Sequence, residues 1–197
     1  MSPRPTTGHV RRPAILKAAA ERIAGDGIDA VRIARIAMDA RVSTALVHYH
    51  FATREALLAE ALEYSFETAG DVRDAEGDPV TRLRAMIDQC LPLPGELERD
   101  WVLWVELWLR AVRHPELRPT AAKLYARMNV WLRAAIEEGD FGDVDAAAVA
   151  DRTLALIDGF GVRALLGDPA MPLERARAEV WNALAGELGL RAAAPSG

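Results

Sequence analysis

Four consecutive or near-consecutive side chains, Thr44, Ala45, His48 and Tyr49, have the types and spacing to recognise a surface rather than to catalyse. They sit in the segment Asp39–Leu58, DARVSTALVHYHFATREALL, which reads as a tight turn, a short helix and the start of a longer one. Ser43 is placed to cap the short helix, because its hydroxyl can accept an orphan backbone N–H of the first turn. Leu46, Val47 and Phe51 bury one side of that helix, which leaves Thr44, Ala45, His48 and Tyr49 facing outward. Small, polar and aromatic tips on a short helix suit the DNA major groove. Thr and Ala can meet a thymine methyl, and His can donate to or accept from a purine edge. The competing reading is an ordinary solvated helix face.

Charge favours the recognition reading. The chain of 197 residues carries a net charge of −5, which taken whole argues against a nucleic-acid partner. Residues 1–55 nevertheless hold nine Arg or Lys against five Asp or Glu, a net +4, and three of the four His; the remainder is −9. A basic head on an acidic body places the attraction for phosphate at one end. Arg32, Arg35, Tyr49, His50 and Arg54 are the expected phosphate-contacting side chains, which set register rather than sequence; Ser43, as the cap, and Arg41, as a nearby charge, complete the DNA-binding set. For each of them the alternative is a plain surface residue. His48 and His50, two apart on a helix, point about 200° apart and cannot ligate one metal ion from one face.

Cys90 is the single cysteine, so neither a disulfide framework nor a Cys/His metal spacing is present. No metal or other cofactor is expected. No run approaches the ~20 apolar residues of a membrane span, and the start, MSPRPTTGHVRRP, lacks an apolar signal core. A cytoplasmic protein without a membrane partner is the expectation.

Alanine abundance and the lack of clustered β-branched residues predict an all-α protein of nine helices. They fall at about 12–25, 32–39, 44–51, 53–74, 79–91, 97–114, 115–138, 145–166 and 172–189. The division expected is a disordered arm (1–10), a three-helix head (11–55), a larger helical body (56–190) and a flexible tail (191–197).

In the body, Trp101, Trp104, Val105, Trp108, Leu109 and Val112 repeat at helical spacing. This stripe is either core or a stiff aromatic wall. Tyr125, Met128 and Trp131 on the next helix could face it. A pocket of Trp101, Trp104, Trp108, Tyr125, Met128 and Trp131, with Asp158 as its seventh candidate, would take a flat or bulky apolar or aromatic effector, and indole faces also suit a cation. Asp158 lies within an apolar run and needs a partner. That partner is a cationic ligand, an Arg of a second copy such as Arg163, or a nearby hydroxyl, with structural pairing preferred. Gly159 and Gly161 allow close helix approach, and Val180, Leu184 and Leu188 share one stripe of the last helix. Both features suit a dimer seam, or packing within one chain.

The head resembles the DNA-binding domain of the tetracycline-repressor (TetR) family. Ile15, Ala18, Ala19, Gly27, Ile36, Ala37, Ala40, Val42, Ser43, Leu46, Tyr49, Phe51, Arg54, Glu55 and Leu57 carry the resemblance, at ungapped spacing over about a quarter of the chain. The body is more loosely similar to regulators with a choline/betaine-type C-terminal domain, through its Trp-rich helix, Pro115-Glu-Leu117 and LALIDGFG at 154–161. The resemblance implies a ligand-responsive transcriptional regulator, foremost a repressor. It would act as a homodimer through a four-helix bundle of the last two helices, with double-stranded operator DNA and a small-molecule effector as partners. An activator or a helical interaction module of the same fold is the alternative. An enzyme has little support, because no catalytic constellation and no Gly-rich phosphate loop is present. Three positions depart from the family pattern. Arg41 stands where the turn usually has Gly. Val31-Arg32 stands where a Thr or Ser usually caps the second helix. Leu46 stands where a small polar residue is common.

Overall fold

The computed structural model describes residues 8–68 and 77–190. Residues 1–7 of the expected arm (1–10), the end of the fourth helix up to 74 and the tail at 191–197 lie outside the described residues, and residues 8–10 are helical. Nine α-helices are present among them, and no strand: α1 (Gly8–Asp26), α2 (Ile33–Asp39), α3 (Thr44–His50), α4 (Arg54–Thr68), α5 (Pro79–Gln89), α6 (Glu96–Arg113), α7 (Arg118–Glu138), α8 (Ala146–Leu165) and α9 (Leu173–Glu187). A 3-10 turn, Pro115–Leu117, precedes α7. It takes the place of the first turn expected for that helix.

The helix starts follow cap chemistry. Ser43 accepts the N–H of Leu46 at α3, and Asp78 accepts those of Val80 and Thr81 ahead of Pro79. Asp145 accepts the N–H of Ala148 at α8. Thr53 accepts the N–H of Ala56 at 3.0 Å. The α1 helix begins four residues before its expected start and runs through Pro13.

The chain clusters into two compact units, one from residues 1–70 and 102–122, the other from residues 71–101 and 123–197. The division falls inside α6. In the first unit α1 packs on α2 and α4, and α2 on α3. Its interior holds Ile15, Ala19, Ile23, Ile36, Leu57 and Leu62, all fully buried. In the second unit α9 packs on α8 and α5, around Leu83, Ala150, Ala176, Val180 and Leu184. Burying such a side chain contributes roughly 1.5–3 kcal/mol, which is why both stripes are continuous.

Two stripes read from the sequence fall differently. On α6 the buried residues are Trp101, Leu103, Leu107 and Ala111, whereas Leu109 and Val112 are 49% and 73% exposed. The apolar residues of this helix extend around more than half of it, and spacing alone selects the wrong rows. On α9, Val180, Leu184 and Leu188 are buried to within 4% inside the chain.

Candidate nucleic-acid interface and effector site

The recognition helix α3 presents the face expected of it. Val47 is 1% exposed and anchors the helix, while Thr44, Ala45 and His48 face solvent and Tyr49 is 80% exposed. Leu46 is half-buried.

The turn before α3 is set by how α2 ends. Arg41 adopts φ +54°, the left-handed conformation that usually selects glycine. The N–H of Val42 donates to Ala37 O at 2.9 Å, and that of Arg41 to Met38 O at 3.1 Å. These are the paired bonds of a Schellman C-cap, and they hold the strained residue in place. Arg41 therefore carries an exposed charge at the tight corner beside α3. Arg32 precedes α2 without capping it through its side chain. Its guanidinium turns back to Asp29 O at 2.9 Å and remains exposed, as does Arg35.

Two of the expected phosphate-contacting residues are engaged inside the head. Arg54 donates from Nη2 to Ile28 O at 2.6 Å and to Val31 O at 3.3 Å. His50 is half-buried with its ring edge-on to Tyr49 at 5.2 Å, and its Nε2 is shielded from solvent. Polarity and spacing suggested open contacts for both. The fold instead uses them, wholly or partly, to pack the head. Arg22 bridges Asp39 at 2.6 Å and Asp26 at 3.0 Å, tying α1 to the end of α2. It holds the Asp39 carboxyl below the usual carboxylate range, mainly through that hydrogen bond.

The seven residues expected to line an effector pocket are not equivalent. Trp104 and Trp108 belong to the first unit and pack ring against ring at 5.9 Å. The others belong to the second unit. Trp101 is a core residue there: it is 5% exposed, its indole N–H donates to Cys90 O at 3.1 Å, and its ring lies across Gly161. A Cβ at Gly161 would fall 2.4 Å from that ring. Gly161 is thus glycine to admit a tryptophan of its own chain. Gly159, in contrast, is exposed and meets nothing within 4 Å. Val180, Leu184 and Leu188 are likewise interior, so of the five residues expected at a dimer seam only Gly159 has an open surface. Trp131 is half-buried, with the Arg127 guanidinium 4.8 Å over its ring. Met128 is half-buried on α7.

Asp158 and Tyr125 do come together. The Tyr125 hydroxyl donates to the Asp158 carboxylate at 2.6 Å. Asp158 is half-buried, and its pKa is raised because burial disfavours the charge; the Tyr125 hydrogen bond opposes this without cancelling it. No Lys or Arg among the described residues contributes to that balance. Arg163, a possible partner on sequence grounds, pairs with Asp168 at 2.8 Å in its own chain. The charge of Asp158 is felt at the end of α5, where burial first and Asp158 second push the Cys90 thiol up to about 12. Beside the pair, α7 and α8 form a groove of about 510 Å³ lined by Tyr125, Asn129, Val130, Asp151, Leu154 and Asp158, among others. Asn129 donates to Asp151 there at 2.6 Å. Sequence analysis missed Asn129 and Asp151, whose signal was only their phase: Asp151, Leu154 and Asp158 share one face of α8. No group of three or more His, Cys, Asp or Glu among the described residues could hold a metal ion. No described helix is long and apolar enough to cross a membrane.

A capped three-residue turn, an exposed polar recognition helix on a basic head and an all-helical body define a helix-turn-helix transcriptional regulator. Residues 15–61 match the bacterial regulatory proteins of the tetR family, and residues 79–189 match the BetI-type transcriptional repressor C-terminal domain. The chain belongs to the tetR family, with a C-terminal domain of the BetI type. It is a DNA-binding regulator and not an enzyme. The HTH-type transcriptional regulator BetI of Rhizobium meliloti (strain 1021) is 29% identical over 176 residues, which cover 84% of this chain and 83% of that one. A transcriptional regulator from Saccharomonospora viridis, solved in complex with choline, is 29% identical with a TM-score of 0.76 over 90% of this chain and 96% of that one. The multidrug binding protein EbrR, solved with proflavin, is 28% identical with a TM-score of 0.63 over 88% of this chain and 99% of that one.

Proposed function

We propose that this chain is a homodimeric, cytoplasmic repressor released from a near-palindromic operator by a small organic cation. Thr44, Ala45 and His48 would read base edges, with Arg32, Arg35, Tyr49 and Arg54 on phosphates and Arg41 and Ser43 beside them. Two heads would enter successive major grooves about one helical turn apart. An effector that binds better to a conformation with mis-spaced heads would weaken DNA binding by linkage.

The observation that carries the effector class is the Asp158–Tyr125 pair. A half-buried carboxylate held by a neutral hydroxyl keeps its charge uncompensated. A cation in the adjoining groove would supply the missing partner, and the tyrosine ring adds an attractive face. That a similar transcriptional regulator was solved with choline and a similar multidrug binding protein with proflavin, both cations, supports the same class. Dimerisation would use the exposed faces of α8 and α9 around Gly159, Ala155 and Ala178 rather than the interior stripe.

Calorimetric titration with choline and with its neutral carbon isostere tests the effector class. Choline is expected to bind and to release selected DNA, and the isostere to do neither. Equal binding of both would remove Asp158 from the effector site. Light scattering that finds a monomer at micromolar concentration would end the dimeric reading.

A further inference from the structure

In the first unit, the last two turns of α6 grip the loop that leads from α1 into the DNA-binding helices. Gly27 ends α1 at φ +74°, and its N–H returns to Ile23 O at 3.0 Å. A Schellman cap would send the next N–H, that of Ile28, back to the helix as well. Here that N–H goes instead to Glu106 Oε1 of α6, at 3.4 Å. One turn further along α6, Arg110 pairs with Asp29. Ile28 is 3% exposed, so its peptide groups depend on these partners. The carbonyl side of the same loop is held from the other direction, because Arg54 at the start of α4 donates to Ile28 O and Val31 O. Arg32, at the entrance to α2, folds back on Asp29 O.

We infer that Glu106 and Arg110 are positioning residues for DNA binding, acting through the Gly27–Val31 loop on Arg32 and Arg54. This rests on the chain acting as a DNA-binding regulator, and it concerns residues outside the recognition face. Glu106 completes the α1 cap from a different helix. A small rotation or shift of α6 therefore changes the partner of a buried N–H and moves the loop whose carbonyls orient Arg54. Glu106 and Arg110 need touch no base or phosphate to do this. They fix where the phosphate-contacting groups stand.

The test uses the full chain and double-stranded DNA selected by the parent protein from a random pool. Glu106→Ala is expected to lose about tenfold in affinity for the selected DNA, the scale of one hydrogen bond to a charged group. Its affinity for random-sequence DNA should fall as well and its salt slope should flatten, because Arg32 and Arg54 are moved off phosphate. Glu106→Gln keeps an acceptor oxygen and should restore parent affinity. Hydrogen exchange at the Ile28 amide should accelerate in Glu106→Ala and not in Glu106→Gln. Arg110→Asp should also lose affinity for the selected DNA, and adding Asp29→Arg should recover part of it. The inference is overturned if Glu106→Ala binds selected DNA as the parent does, if Glu106→Gln is as impaired as Glu106→Ala, or if the Asp29→Arg/Arg110→Asp pair recovers nothing. Should Glu106→Ala not fold, the charge-swapped pair decides the matter alone. A parent that selects no sequence from the pool would instead overturn the DNA-binding reading.

Discussion

The recognition helix α3 and the tryptophan-bearing helix α6 both announce themselves in the sequence, and the structure treats them in opposite ways. On α3 the side chains of interest stay outside: Tyr49 is 80% exposed, and Val47, 1% exposed, is the helix's buried anchor. On α6 the most prominent residue, Trp101, is 5% exposed and fitted over Gly161. A short helix with a single buried anchor has little apolar area to satisfy, so its polar tips remain available to a partner. A long helix with three tryptophans meets the interior's own demand for apolar surface first. Prominence marks function only where the fold has no use for the same side chain.

The largest effect should come from Trp101. Trp101→Ala removes a buried ring that no neighbour can replace, and is expected to destabilise by about 3–5 kcal/mol, lowering the thermal midpoint. Gly161→Val should act in the same direction by forcing that ring out. A Trp101→Ala protein that melts with the parent but no longer responds to choline would reverse the comparison and make the residue a pocket wall.

On α3 the expected effects are functional, with little change in stability. Tyr49→Ala should weaken binding to every DNA sequence and leave the salt slope unchanged, because the lost backbone contact is uncharged. Thr44→Ala should relax preference at one position per half-site, by roughly 1–3 kcal/mol at most. Both are read by fluorescence anisotropy on selected and random DNA across a salt series. If neither variant differs from the parent, α3 is not the reading helix.

A smaller effect separates Asp158 from the structural carboxylates around it. Its folded pKa is raised by burial, so its contribution to stability is fully present below the unfolded value and is lost as pH rises through the folded one. Asp158→Asn, which can still accept from Tyr125, should therefore melt at or above the parent temperature at neutral pH. That advantage should vanish as pH falls into the carboxylate range. Asp168 behaves oppositely: the Ala170 N–H and Arg163 lower its pKa, so Asp168→Asn should cost stability at neutral pH and less in acid. Melting curves against pH distinguish the two.

The smallest effect lies at the turn. Arg41→Gly relieves a left-handed arginine, worth roughly 1–2 kcal/mol, against the added chain entropy of glycine, so a net gain of about 0.5–1 kcal/mol is expected. The thermal midpoint should rise by about 1–4 °C, while DNA affinity falls with the lost charge. Equal DNA affinity would place Arg41 away from phosphate.

Local chemistry was legible in the sequence because its causes are local. Ser43 caps the helix it precedes since its hydroxyl reaches an N–H three residues on, and the structure shows Asp78 and Asp145 in the same role. Arg41 in place of the usual Gly left two outcomes open, a left-handed residue or a different turn, and the structure takes the first. The all-α class, the head and its outward face were determined by periodicity and by the basic bias of residues 1–55. Which of several apolar rows becomes interior is not local, because it depends on what each helix meets. Only the tertiary structure decided that Val180, Leu184 and Leu188 pack within the chain, that Trp101 is core, and that Asp158 finds Tyr125, 33 positions away. The same holds for Glu106, whose carboxylate is an ordinary helix residue by sequence and becomes a cap for α1 only because α6 passes the Gly27–Ile28 peptide. Nothing within a helical turn of Glu106 encodes that partner, 78 residues distant.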